Sequence, residues 1–165
     1  PGGEIYQALE KGTIDATEWV GPYDDEKLGF YKVAKNYYYP GWWEGGAQLD
    51  FYINKKAYND LPADYKAMVE AAASHAHVTM QAMYDARNPA ALKRLVANGV
   101  KVLAFPKPVM DAAFNEAMAL YSELSNSNPN WKKVYTDYRN FQRDANLWFR
   151  FTEARFDSYM QAAKL

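Results

Sequence analysis

Two segments broken by glycine and proline, residues 12–25 (GTIDATEWVGPYDD) and 37–46 (YYYPGWWEGG), constrain this chain more than any other feature. Proline fixes φ and glycine frees it, so Gly21-Pro22 and Pro40-Gly41 forbid one long element from running through either segment. Each segment sets a carboxylate, Glu18 or Glu44, among Trp, Gly and Pro, where the pattern predicts a strand passing into a loop. A carboxylate beside indoles on a turn suits a small polar ligand or a hard cation better than it suits a core. The rest of the chain reads as scaffold.

That scaffold alternates. Residues 4–11 place Ile5, Ala8 and Leu9 on one helical face, with Gly12 where a left-handed cap is expected. Residues 13–16 read as a short strand, 23–35 as a helix striped by Leu28, Tyr31 and Ala34, and 37–39 as an aromatic strand. Residues 47–54 alternate cleanly, Leu49, Phe51 and Ile53 against Gln48, Asp50 and Tyr52, which predicts a strand. Pro62 is placed to open a long helix whose stripe is Tyr65, Met68, Val69, Ala72, Ala76, Met80 and Met83. Asn88-Pro89 is expected to kink or split it, and Gly99 to end its continuation. A buried-type strand over 100–105 and a helix over 108–124 follow. The run SNSNPN (125–130) is the clearest composition break, and one long helix with an aromatic side is expected from there to the C-terminus. Helices alternating with short strands predict an α/β layer architecture.

Composition excludes several functions. The chain has 165 residues, a domain's worth, and 49% of them are hydrophobic, enough for a sizeable core. A net charge of −1 with scattered Lys and Arg argues against nucleic acid and against an anionic membrane surface. With no cysteine there is no disulfide framework, no thiol nucleophile and no thiolate metal site. The opening PGGEIY, without Met or a signal sequence, is what a processed N-terminus or a piece of a longer chain would show.

The candidate chemistry leaves alternatives open. Glu18 and Glu44 read as a general acid and base of the glycosidase kind, as oxygen ligands for a hard cation, or as solvated loop carboxylates. Trp42 and Trp43 suit a pocket wall as well as a core. The run Asp24-Asp25-Glu26 falls in the first turn of a helix, where negative charge complements the helix dipole. His75 and His77 stand two apart on a helix and face different ways, so they are no metal pair. Neither a GxSxG elbow nor a phosphate-cradling glycine loop is present. The aromatic stripe of the last helix reads first as core, but behind a polar linker the helix can instead pack on a neighbouring subunit or serve purely as a dimerisation element.

The runs PGGEIYQALEKGTIDATEWVGPYDD and KNYYYPGWWEGG resemble the solute-binding proteins of TRAP (tripartite ATP-independent periplasmic) transporters, in the branch that captures 2-oxo acids, lactate and similar small carboxylates. The likeness covers the whole chain, LPADYKAMVEAAA and the aromatic C-terminal helix included. It implies a type II periplasmic-binding-protein-like α/β fold. Residues 1–128 would be the C-terminal half of a two-lobed domain, and 129–165 a long helix exchanged between the subunits of a homodimer.

The resemblance also implies a periplasmic binding protein that is no enzyme, captures a small carboxylate with a bridging metal ion (Ca²⁺ or Na⁺) and passes it to a membrane permease. On it, Glu18 is a carboxylate metal ligand and Trp19 a backbone-carbonyl ligand; Glu18 and Trp19, with Trp42 and Trp43 as the pocket wall, are also expected beside the substrate. Glu44 is the second side-chain ligand, at a place where some relatives carry Gln. The second carboxylate favours Ca²⁺ over Na⁺. The arginine with which the family grips its ligand lies upstream of PGGEIY, and no residue here matches it.

Overall fold

The computed structural model describes residues 1–47 and 49–163. They form two compact units, Pro1–Pro106 and Lys107–Leu165. The first begins with a 3₁₀ turn, Gly2–Glu4, leading into helix α1 (Ile5–Glu10). An irregular stretch then carries Glu18 and Trp19 to helix α2 (Pro22–Leu28), where Pro22 stands in the first turn, a place that needs no amide donor. The helix expected over 23–35 stops at Gly29, whose φ of +75° is the left-handed cap that glycine adopts without steric penalty. Phe30–Lys32 continue only as a 3₁₀ turn.

Strand β1 (Asn36–Tyr39) pairs in parallel with β2 (Lys101–Ala104), Asn36 opposite Lys101 and Tyr39 opposite Ala104. Parallel neighbours cannot be joined by a tight turn, so the chain crosses over through α3 (Lys55–Asp60) and the 35-residue α4 (Ala63–Ala97). α4 ends at Gly99, φ +85°, as the sequence predicts. It is not split at Pro89. Proline there removes one amide, but the residues around it are held: the Asn88 carboxamide accepts from the Tyr23 amide at 3.0 Å, and Ala91 and Leu95 are 0% and 2% exposed.

α2 lies on this last part of α4. Arg94 grips Glu26 through two 2.7 Å bonds, Arg87 donates to the Tyr23 hydroxyl, and Tyr23 meets Tyr84 edge-on. Phe30, Ala91, Leu95 and Val100 are the buried apolar residues among those described.

Several expected elements do not form. Residues 13–16 and, among those described, 47–54 take no strand conformation, and Asn54 instead caps α3 by accepting from the Ala57 amide. Gln48 lies outside the described residues. Alternation marks two faces but supplies no ladder, and β1 and β2 are already paired with each other. The α4 stripe is not core along its first half either, since Tyr65 and Met68 are exposed and Val69, Met80 and Met83 only half-buried.

The second unit is helical. α5 (Lys107–Ser127) absorbs most of the expected linker, leaving Asn128 as the joint to α6 (Pro129–Phe151). Its side chain accepts from the Trp131 amide, a capping bond that starts the new helix at once. Tyr121 packs against Trp131 and Tyr135 where α5 and α6 meet. The single long helix expected here breaks at Thr152, after which α7 (Glu153–Ala162) follows; Lys164 and Leu165 lie outside the described residues. No described helix is long and apolar enough to cross a membrane.

Because Leu95 is only 2% exposed, Leu95→Ala should destabilise the protein by about 2–5 kcal/mol, read as a lower urea midpoint with unchanged slope.

Candidate functional site

The two irregular segments meet at one cleft. Residues 15–22, the end of β1 and the turn that follows it line a hollow of about 1330 Å³ together with Phe30, Leu95 and Val100 from the core. Glu18 and Trp19 enter from the segment before α2, and Trp43 and Glu44 from the loop after β1. Trp42 is not among the lining residues; it meets Trp43 edge-on, ring centres 5.4 Å apart. Trp43 in turn lies edge-on to Phe105, which follows β2. The three indoles are part-exposed, so none of them is core.

Local chemistry explains why these segments stay irregular. Residues 12–21 are held at one end by bonds from Thr13 and Ile14 to the Ala8 carbonyl, and at the other by α2, whose Asp25 amide binds the Gly21 carbonyl. Between those anchors the backbone lies in no helix or sheet, and the Glu18 carbonyl accepts from the Thr17 hydroxyl at 3.3 Å. The Trp19 ring crosses Gly2 so closely that a side chain there would stand 2.8 Å from its edge. The second segment leaves the sheet directly after the Phe105 amide binds the Tyr39 carbonyl.

One carboxylate of the cleft lining is a residue whose place in the sequence suits helix charge. Asp25, in the first turn of α2, also lines the cleft and is only 7% exposed. Its Oδ2 accepts from the Tyr37 hydroxyl on β1 at 2.5 Å, while its Oδ1 is buried without a hydrogen-bond partner. Burial pushes its pKa up to about 6 against the opposing effect of the Tyr37 bond, and the nearby Asp24 and Glu18 charges push the same way. Burial and this carboxylate together raise the Tyr37 phenol. Acidic residues at a helix start normally face water. The signal that this one does not is tertiary, namely a phenol brought over it by β1.

His75 and His77 are exposed on α4. Among the described residues, no three His, Cys, Asp or Glu side chains gather closely enough to hold a metal ion. The cleft lining carries the carboxylates Asp15, Glu18, Asp25 and Glu44 beside irregular backbone. Those are hard oxygen donors, the set that suits Ca²⁺ or Na⁺ and not a transition metal.

Comparison with known proteins follows the same lines. Residues 1–128 match the DctP model, bacterial extracellular solute-binding protein, family 7. A monocarboxylate 2-oxoacid-binding periplasmic protein from Nostoc sp. is 42% identical over 164 residues, which is 99% of this chain and 45% of that protein. A TRAP transporter solute binding protein from Bordetella bronchiseptica superposes with a TM-score of 0.92 at 51% identity, over 98% of this chain and 48% of that one. That structure is a mixed occupancy dimer, with copurified calcium and picolinate in one active site and the other apo. A TRAP periplasmic solute binding protein from Pseudoalteromonas atlantica, with bound sodium and pyruvate, gives a TM-score of 0.89 at 34% identity, over 99% of this chain and 49% of that one. The relatives are binding proteins, and the helix-rich fold with its small parallel sheet is theirs. The chain spans about half the length of the relatives it matches. On the match over residues 1–128, it belongs to the bacterial extracellular solute-binding protein family 7.

Proposed function

We propose that this chain supplies the cation-holding side of a periplasmic TRAP-transporter subunit that captures a small carboxylate, such as a 2-oxo or 2-hydroxy acid, and delivers it to a membrane permease. The observation that carries this reading is the meeting of Glu18 and Glu44 in one indole-walled cleft, each on backbone free of regular structure. A carboxylate ligand entering there meets like charge. Two such charges 4 Å apart repel by about 4 kcal/mol at an effective dielectric of 20. A hard cation on the Glu18 and Glu44 oxygens and the Trp19 carbonyl would reverse that sign and orient the acid. Two protein carboxylates favour Ca²⁺ over Na⁺. The apolar floor of Phe30, Leu95 and Val100 suits the short hydrocarbon end of such an acid.

The hollow exceeds the roughly 300–1,000 Å³ of usual ligand pockets. It is an open trough, which fits a site closed by a facing lobe. Nothing in this reading requires bond making or breaking, so the protein is a binder and not an enzyme. The calcium with picolinate and the sodium with pyruvate in the two structural relatives support the same chemistry.

For the intact protein, calorimetry with pyruvate should show affinity falling by about tenfold or more, about 1.4 kcal/mol, when chelator is added, and Glu18→Gln should do the same. Unchanged affinity in chelator would remove the cation from the site.

The second unit supports self-association. Tyr138, Phe141, Trp148, Phe151, Phe156 and Tyr159 are all more than half exposed along α6 and α7. Burying one such side chain contributes about 1.5–3 kcal/mol, so a second copy is the natural cover, with these helices exchanged between subunits. Sedimentation should show a dimer that becomes monomeric when Phe141 and Trp148 are both changed to Ser. A monomeric wild type would dismiss the exchange.

A further inference from the structure

Asp25 is the buried charged residue among those described, and the cation reading leaves it without a role. Its position suggests one. It stands in α2, the element that closes the Glu18 segment, and its partner Tyr37 stands in β1, the strand that opens the Glu44 segment. Both segments are otherwise irregular, so the separation of their carboxylates depends on how α2 is held against β1. We propose that the Asp25 carboxyl and the Tyr37 hydroxyl form a buried clasp that sets the spacing of Glu18 and Glu44, which makes both of them positioning residues for the cation. This inference rests on the cation reading given above.

A merely structural tie between α2 and β1 would be made at lower cost by a neutral amide, since an acid this enclosed loses most of its hydration. The surrounding charges do not compensate it. Asp24 on α2 and Glu18 on the preceding segment add like charge, and only hydrogen bonds, from the Gly21 backbone and the Tyr37 phenol on β1, favour the ionised form. On α4, Arg94 is engaged by Glu26 and Arg87 by the Tyr23 hydroxyl, while Tyr84 is hydrogen-bonded to Asp24. Lys27 sits over the Tyr23 ring. Lys35, the lysine of the cleft lining, donates to the Asn98 carbonyl, so no cationic side chain is committed to Asp25, although Asp25 lines the cleft together with Glu18. A cation arriving at Glu18 offsets this negative field and favours the ionised clasp. By linkage, protonating Asp25 must weaken the cation.

The sign differs for stability. The folded-state pKa of Asp25 is raised, so its protonated form favours the fold, and that contribution is lost as pH rises from the unfolded value through about 6. A structural acid would move stability alone. A positioning acid moves cation affinity as well, and in the opposite direction.

The test is a titration of the intact protein with Ca²⁺ alone, at about pH 5.5 and about pH 7.5, beside thermal melts of every variant. Wild type should bind Ca²⁺ more tightly at the higher pH. Asp25→Asn should weaken binding there by about 10- to 100-fold, the usual cost of losing an outer-shell partner, and should flatten the pH dependence. Tyr37→Phe keeps the acid and removes the tie; it should weaken binding at both pH values while retaining the slope, and it decides the matter if Asp25→Asn does not fold. Wild-type affinity and slope in both variants, with binding lost in Glu18→Gln, would overturn the clasp alone. No Ca²⁺ binding by wild type would overturn the cation reading and the clasp with it.

Discussion

The seat of α2 on the second half of α4 is the contact from which the rest of the first unit follows. Asn88, Ala91, Arg94 and Leu95 fall at helical spacing on one side of α4, and each has a distinct part. Asn88 and Arg94 hold the two ends of α2 by hydrogen bonds, and Leu95 fills the space below. Ala91, fully buried between them, is small enough to let the helices approach. Once α2 is seated, the Glu18 segment is pinned at its downstream end. The Phe30 turn is then delivered to the core, and the chain emerges at β1 in position to pair with β2.

That arrangement concentrates negative charge in an otherwise nearly neutral protein. Asp15, Glu18, Asp25 and Glu44 line one cleft against a single lysine, Lys35, while Arg94 and Arg87 are engaged by Glu26 and Tyr23. An anion entering a cleft so built would meet like charge. The aromatic rings temper this, because indoles supply contact area without adding charge. Much of the apolar surface in both units faces outward, as it does along α6, where Phe141 is 72% exposed. Such surface is a place for protein to pack.

Local signals were read well where one residue decides the backbone. Gly12 and Gly99 follow helix ends in the left-handed conformation, and Gly21-Pro22 parts the Glu18 segment from α2, whereas the stop at Gly29 inside the expected 23–35 helix is one that the pattern misses. Aromatic β1 and apolar β2 likewise stand close to where the pattern places them. Signals that need a partner were read less well. The alternation over 47–54 marks two faces but cannot provide a neighbouring strand. Pro89 carries a helix-breaking signal that tertiary packing of α4 overrides. The SNSN stretch looks like linker, yet three of its four residues complete α5, because an Asn128 cap starts α6 without needing slack.

The sequence by itself determined the types and order of most elements, the two broken segments with Glu18 and Glu44, and the kinship that those segments carry. These depend on backbone preferences and side-chain chemistry within a few residues of each other. Tertiary structure alone decided that both glutamates face one cleft, that Trp42 stands aside while Trp43 lines it, and that Asp25 is buried under Tyr37 instead of facing water. Each of those depends on how α2, β1 and α4 are disposed in space. A charge in the first turn of a helix looks the same in sequence whether water or a phenol lies over it.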